Sequence, residues 1–128
     1  MLVVCWSVKG GVGVTTVASV LALVGAGGPE PVTVVDLTGD VPACLGIDTP
    51  RGPGVAEWLA AGEDTPPDAL ARLHHPVADG LELVARGTGP LGSDRAGLLA
   101  QVLATAGRTV VVDAGRADRC PVARRLAA

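Results

Sequence analysis

The sequence contains no phenylalanine or tyrosine, and Lys9 is the only lysine among its ten basic residues. Its three cysteines, Cys5, Cys44 and Cys120, are far apart and form no CxxC pair, so neither a zinc site nor a disulfide framework is indicated. The longest apolar run, at residues 17–24, is too short to span a bilayer. A secretory signal requires a positive charge before its apolar region, and no charge precedes the apolar amino-terminal run of this chain. These absences predict a cytoplasmic protein with reduced thiols.

The composition favours a folded domain. The chain has 128 residues, 48% of them hydrophobic, and its mean hydropathy is +0.45. We therefore expect one domain spanning residues 1–128. The net charge of −3 gives no general attraction to nucleic acid or acidic membranes, so neither contact is expected. A metal role for the adjacent His74 and His75 is not expected either, because neighbours on a helix point about 100° apart.

Short apolar runs alternate with helical segments along the chain. This alternation predicts an α/β fold of the three-layer α/β/α type, with a mainly parallel sheet and right-handed crossovers. The helix at 14–26 is apolar nearly all round, so we expect it to be buried. The helix at 93–106 is expected to begin with Ser93 as its N-cap and to bury Leu98, Leu99, Val102 and Leu103. The predicted strands are 2–8, 32–37, 81–85 and 109–113, and the other helices are 55–61, 67–73 and 121–128.

The segment 7–16, SVKGGVGVTT, joins the first predicted strand to the first predicted helix. Gly10, Gly11 and Gly13 permit tight turns and allow a ligand to approach the backbone N–H groups closely. The helix that follows presents the positive end of its dipole at the same place. The segment therefore predicts a phosphate-binding loop.

Two aspartates end neighbouring predicted strands, Asp36 on the second strand and Asp113 on the fourth. Ligands of open parallel sheets bind beyond the carboxyl ends of the strands, where both residues lie. An aspartate in the position of Asp113 can hold Mg²⁺, often through water, and the Thr15 hydroxyl would ligate the same ion. A glycine loop or a strand-end aspartate alone is also common as a turn or helix cap. A nucleotide site is favoured by three features in this order along the chain: the glycine loop, Asp36 and Asp113.

The segment 9–16, KGGVGVTT, resembles the deviant Walker A motif KGGVGKTT of the ParA/MinD family of P-loop ATPases. Residues 32–40, VTVVDLTGD, look like the second motif of that family, and residues 109–115, TVVVDAG, look like its Walker B motif. The middle region is similar to members linked to pilus assembly and septum placement, and the resemblance covers the whole chain. It implies a homodimeric switch protein that binds ATP or ADP with Mg²⁺, acts in positioning or partitioning, and works with a protein partner.

The resemblance also implies roles for individual residues. Lys9 would reach across the dimer to the phosphates of the partner, and Asp36 would place the attacking water. Thr15 and Asp113 would organise Mg²⁺. The nucleotide would be held by Gly10, Gly11, Val12, Gly13, Val14, Thr15 and Thr16.

Three departures from the family pattern matter. Val14 stands where the family has the lysine that contacts phosphates in its own subunit, and Thr38 stands where a second acidic residue is frequent. The family continues past the position matching residue 128, so we expect the C-terminal strands to be missing from the sheet. A lost charge-assisted hydrogen bond costs roughly 1.5–3 kcal/mol, or about one to two orders of magnitude in affinity. A cation missing from the transition state can cost on the order of 10³-fold in rate, so we expect little or no ATP hydrolysis.

Other interpretations stay open at this point. The chain could be a pseudo-ATPase, an interaction or scaffold module that binds no nucleotide. An iron-protein-like reductase would need paired cysteines, for which Cys120 is the only candidate. A dinucleotide-binding Rossmann motif is disfavoured because Thr16 stands where the third glycine of GxGxxG is required.

Overall fold

The computed structural model describes residues 1–10 and 13–128, and Gly11 and Val12 lie outside the described residues. The described chain is an α/β structure in which strands and helices alternate over most of its length. In chain order the elements are β1 (Leu2–Ser7), α1 (Val14–Ala26), β2 (Val32–Asp36), α2 (Val41–Leu45), α3 (Val55–Ala60), a 3₁₀ helix (Pro67–Leu73), β3 (His74–Ala78), β4 (Leu81–Val84), α4 (Ala96–Ala104), β5 (Thr109–Arg116) and α5 (Pro121–Ala127).

The sheet has five strands in the order β1-β5-β2-β4-β3. All neighbouring pairs are parallel except β3 and β4, which are antiparallel. The prediction of an α/β fold with a mainly parallel sheet is therefore confirmed. The sequence reading did not predict β3, whose segment HHPVA lacks apolar alternation and contains Pro76. A proline is tolerated there because β3 is an edge strand, where one side needs no ladder hydrogen bond.

Two apolar clusters lie on opposite faces of the sheet, as the side-chain alternation of the strands requires. On β5, Val110 and Val112 pack in the cluster that α3, α4 and α5 cover, whereas Val111 packs in the cluster under α1 and α2. Leu99 and Leu103 of α4 are buried, as predicted, and Leu98 and Val102 are partly buried against the same cluster.

Some predicted boundaries are wrong. Helix α4 begins at Ala96 with Arg95 as its N-cap, and no side chain caps it. Ser93 instead accepts a hydrogen bond through its backbone carbonyl from the N–H of Ala96 at 3.1 Å, in the turn before the helix. Strand β5 continues to Arg116, three residues past its predicted end, and α2 was not among the predicted helices.

The outer side of α1 contradicts the expectation of a buried helix. Ala18, Ser19 and Ala22 are buried against the sheet, but the opposite side is exposed, and Val24 retains 72% of its accessible surface. The physical reason is that the sheet contacts one side of the helix only. The exposed stripe comprises Val17, Val20, Leu21, Leu23 and Val24. Among the described residues, no helix is long and apolar enough to cross a membrane.

Candidate functional site

The start of α1 depends on Gly13. This residue is the N-cap of the helix and has φ +82° and ψ 24°, a left-handed conformation that glycine adopts without steric cost. Its carbonyl accepts the first helical hydrogen bond from the Val17 N–H at 2.9 Å. Among the described residues, apart from its chain neighbours, no atom lies within 4 Å of a Cβ added here, and the backbone conformation is what calls for glycine. The N–H groups of the first turn of α1 have no partner within the helix, and they lie at the positive end of its dipole.

A cavity of about 340 Å³ opens beside this helix start. It lies at the carboxyl ends of β1 and β5, the edge of the sheet where the sequence predicted a site. The predicted residues at this cavity are Lys9, Gly10, Gly13, Val14, Thr15 and Thr16. The predicted residues Gly11 and Val12 lie outside the described residues. Five further lining residues, Ser7, Thr38, Asp40, Gly115 and Arg116, were not predicted as part of the site.

Thr15 lines this cavity and contacts Asp113, which is fully buried and does not line it. The Thr15 hydroxyl donates a hydrogen bond of 2.6 Å to Oδ2 of Asp113, which is 0% exposed. The second carboxylate oxygen of Asp113 accepts a longer hydrogen bond of 3.3 Å from the Gly115 N–H. The structure thus brings together two side chains that the sequence assigned to one metal ion.

Burial raises the pKa of Asp113 above its ordinary value, and the nearby negative charge of Asp36 raises it further. Hydrogen bonds from Thr15, Thr38 and Gly115 oppose this rise. Burial and the charge of Asp113 likewise raise the pKa of the Cys5 thiol on β1. A carboxylate that is costly to ionise without a counter-charge favours a bound cation at the same place.

Asp36 is also 0% exposed, and its carboxylate holds the loop that follows β2. Oδ1 accepts hydrogen bonds of 2.9 Å from the N–H groups of Thr38 and Gly39 and from the Thr38 hydroxyl. Oδ2 lies 3.4 Å from the Val41 N–H. Asp36 therefore acts as a turn-capping residue in the described geometry, and its role in placing a water molecule stays a prediction.

Thr38 connects the two buried carboxylates. Its hydroxyl oxygen lies 2.9 Å from Asp36 Oδ1 and 3.1 Å from Asp113 Oδ2, so the two acceptors share its single proton. An acidic side chain here would place a third carboxylate beside two buried ones. Gly115 permits this arrangement, because it has φ +61° and a Cβ there would lie 2.8 Å from Thr38 Cγ2. No pattern in the sequence indicated this bridging role of Thr38.

The donor set fits Mg²⁺ better than a metal that needs a full protein cage. The described residues contain no group of three or more His, Cys, Asp or Glu side chains placed to hold a metal. Thr15 and Asp113 offer one hydroxyl and one carboxylate, which are hard oxygen ligands. Mg²⁺ is commonly held by one or two such protein groups together with water and substrate phosphates.

Arg116 brings a positive charge to the cavity that the sequence reading missed. It follows Gly115 at the end of β5 and lies against Gly10, since a Cβ added at Gly10 would be 3.6 Å from Arg116 Cδ. Its guanidinium pairs with Asp118, through Nε at 3.0 Å and Nη2 at 2.6 Å. Val14, by contrast, contributes only an apolar side chain to the wall of the cavity.

A larger cavity of about 500 Å³ lies at the amino ends of β2, β4 and β5, away from the glycine loop. Three of its lining residues, His74, Glu82 and Arg108, interact with one another, and Asp68 also lines it. Glu82 Oε2 lies 2.6 Å from Nδ1 of His74 and 3.6 Å from Arg108, and Arg108 donates a 3.0 Å hydrogen bond to the Thr33 hydroxyl. Because these polar groups already satisfy each other, this cavity offers a ligand less than the one beside α1.

Comparison with known proteins gives no assignment for this chain. No protein-family model matches it, and no curated protein matches it at the significance required. The function is therefore inferred from the geometry of the site beside α1.

Proposed function

We propose that this protein is a nucleotide-binding switch of the ParA/MinD type, with a P-loop NTPase-like fold. In this proposal it binds ATP or ADP with Mg²⁺ weakly and hydrolyses ATP little or not at all. The observation that carries the proposal is the 2.6 Å hydrogen bond between Thr15 and Asp113 beside the glycine-capped start of α1. It joins the glycine loop to an aspartate near the carboxyl end of β5, and these are the two groups that this proposal assigns to Mg²⁺.

In this proposal, different residues around the cavity bind the phosphates and the metal ion. The first N–H groups of α1 and the left-handed turn at Gly13 receive phosphate oxygens. Thr15 and Asp113 hold Mg²⁺, which supplies positive charge to the phosphates when bound.

The missing lysine determines how well this site can work. With Val14 in that position, the phosphates must be held by the α1 amides, the metal and any remaining cation. The missing lysine lowers the affinity for nucleotide by about one to two orders of magnitude, to roughly the micromolar to millimolar range. Hydrolysis suffers more because charge increases in the transition state. Lys9, which is exposed at the rim, is proposed to reach the nucleotide of a second subunit in a homodimer. The process served would be positioning, partitioning, septum placement or pilus assembly with a protein partner.

Titration with a fluorescent ATP analogue in the presence of Mg²⁺ tests binding directly. We expect saturable binding by the wild type and weaker binding by Thr15→Ala. Thr105→Ala is the matched control, because Thr105 is an exposed threonine at the end of α4 and does not line this cavity. Absence of saturable binding at millimolar nucleotide would reject the proposal and leave the pseudo-ATPase scaffold.

A second measurement addresses the proposed switch. We expect the molar mass in solution to rise from monomer to dimer when a slowly hydrolysed ATP analogue and Mg²⁺ are added, and Lys9→Ala to prevent this rise. Mass measurement by light scattering during size-exclusion chromatography separates these states. A mass that is the same with and without the nucleotide would contradict the switch while leaving nucleotide binding intact.

A further inference from the structure

We propose that Arg116 provides the positive charge that contacts the nucleotide phosphates within the same subunit, in place of the lysine that Val14 replaces. This inference rests on the proposed nucleotide binding. It assigns a binding role to a residue outside the glycine loop, at the end of the neighbouring strand.

The pairing of β1 with β5 places Arg116 at the loop. The register shifts between Cys5 and Trp6, so that Cys5 pairs with Asp113 but Trp6 pairs with Gly115 and Ser7 pairs with Arg116. Without this irregularity Ser7 would face Gly115, and Arg116 would lie one position beyond the end of β1. Such irregularities commonly redirect a side chain beside a functional site. Arg116 therefore stands opposite Ser7, the last residue before the loop.

The side chain of Arg116 lies beside Gly10, near the start of the glycine loop. A Cβ built at Gly10 would lie 3.6 Å from Cδ and 3.8 Å from Nη1 of Arg116, and both Gly10 and Arg116 line the same cavity. The guanidinium thus lies close to the backbone of the loop where the phosphates are proposed to bind. A guanidinium suits this task because its planar fork can donate two hydrogen bonds to phosphate oxygens.

Asp118 holds the guanidinium in position without occupying all of its donors. The pair uses Nε and Nη2, and Nη1 is the nitrogen on the side of Gly10. Arginine has five N–H donors, so the fork to Asp118 leaves others for a ligand. A side chain already positioned loses less conformational entropy when it binds. The hydrogen bonds from Arg116 lower the pKa of Asp118 below its ordinary value.

The test compares nucleotide affinity among variants of the whole protein with Mg²⁺ and a fluorescent ATP analogue. We expect Arg116→Gln to weaken binding about ten- to hundredfold, the loss that follows from removing one charge-assisted hydrogen bond. Arg119→Gln is the control, because it removes the same charge from an exposed arginine three residues further on that does not line the cavity. Arg116→Lys, which keeps the charge but not the fork, should lie between wild type and Arg116→Gln. Thermal unfolding checks that the variants fold alike.

A rescue variant makes the assignment sharper. Adding Val14→Lys to Arg116→Gln should restore affinity to near the wild-type value, because the lysine introduced at position 14 then supplies the charge that Arg116 no longer provides. Equal affinity of the wild type and Arg116→Gln would overturn the role of Arg116 while leaving the proposed function standing. Failure of Val14→Lys to restore binding would also overturn it, because the loss would then not come from a missing cation. No binding by the wild type would reject the proposed function and this inference together.

Discussion

Thr15 and Asp113 are 98 positions apart in the chain, yet the Thr15 hydroxyl donates a 2.6 Å hydrogen bond to Asp113 Oδ2. The parallel pairing of β1 with β5 brings about this contact, because it places the end of β5 beside the loop that leaves β1. Asp113 is buried there with Asp36 close by, and Thr38 shares its hydroxyl between them. Two buried carboxylates at the same edge of the sheet cost free energy to ionise unless a cation binds beside them.

Removing the charge of Asp113 should therefore stabilise the cation-free protein. A raised pKa means that the stabilising effect of the protonated group is fully present below its ordinary value of 3.8 and is lost as pH rises through the raised value. We expect Asp113→Asn to unfold at a higher temperature than the wild type at neutral pH. The advantage should shrink as the pH falls toward about 4, as thermal unfolding across pH will measure. An advantage that did not vary with pH would contradict this account.

A lysine at position 14 of the glycine loop should supply positive charge that the proposed site lacks for ATP hydrolysis. We expect Val14→Lys to increase ATP hydrolysis by up to about 10³-fold over a low wild-type rate, because the new cation stabilises charge in the transition state. Phosphate release at saturating ATP and Mg²⁺ measures this change, and Val14→Leu controls for the change in side-chain size. If the rate does not rise, another feature of the site must also block hydrolysis, and the engagement of Asp36 in its loop is the leading candidate.

The junction between α3 and β4 depends on close packing at Gly54. The N–H of Val55 donates to the Ala85 carbonyl at 2.9 Å, and a Cβ at Gly54 would collide with that oxygen and lie 2.5 Å from the Gly87 nitrogen. We expect Gly54→Ala to lower the free energy of unfolding by about 1–3 kcal/mol through overpacking. Gly62→Ala is the control, since no described atom outside its chain neighbours lies within 4 Å of its added Cβ. Equal denaturant midpoints for the two variants would contradict the prediction.

Arg95 should stabilise the end of α3. Its guanidinium lies 4.1 Å from the Trp58 ring centroid and donates hydrogen bonds of 2.8 Å to the Trp58 carbonyl and 3.2 Å to that of Ala61. We expect Arg95→Ala to reduce stability by about 1–3 kcal/mol and to change tryptophan fluorescence. Arg119→Ala, at an exposed arginine, should have little effect on either. Chemical denaturation of both variants, followed by fluorescence, decides the matter.

The exposed stripe of α1 should accept charge without loss of stability. Val24 retains 72% of its surface, so Val24→Lys removes an exposed apolar group and loses little packing. We expect an unchanged unfolding temperature and less light scattering at high protein concentration, because exposed apolar patches promote association. Ala22→Lys tests the opposite side of the same helix turn, where the wild-type residue is 0% exposed, and should unfold the protein. Similar stability of both variants would show that the helix is not oriented as described.

Local sequence patterns predicted much of the fold and the outline of the site. Runs such as 109–113, TVVVD, are buried strands, and the glycines before α1 are followed by a helix that begins at Val14, as expected. The spacing of apolar residues and the positions of glycine and proline at turns are local properties, so they can be read from a single sequence. The strand β3 was not predicted because HHPVA carries no such period, and it forms by pairing with β4. The burial of α1 was overestimated because composition does not reveal which side of a helix the sheet will cover.

The sequence by itself determined the alternation of strands and helices, the glycine loop, and the placement of Asp36 at the end of β2 and of Asp113 near the carboxyl end of β5. Only the tertiary structure decided that Thr38 bridges the two carboxylates and that Arg116 reaches Gly10. The reason is that the approximate position of a strand follows from local pattern, whereas its exact end and the side chains that meet there depend on strand order and register. A shift of one residue between β1 and β5 selects which side chain of β5 stands beside the loop.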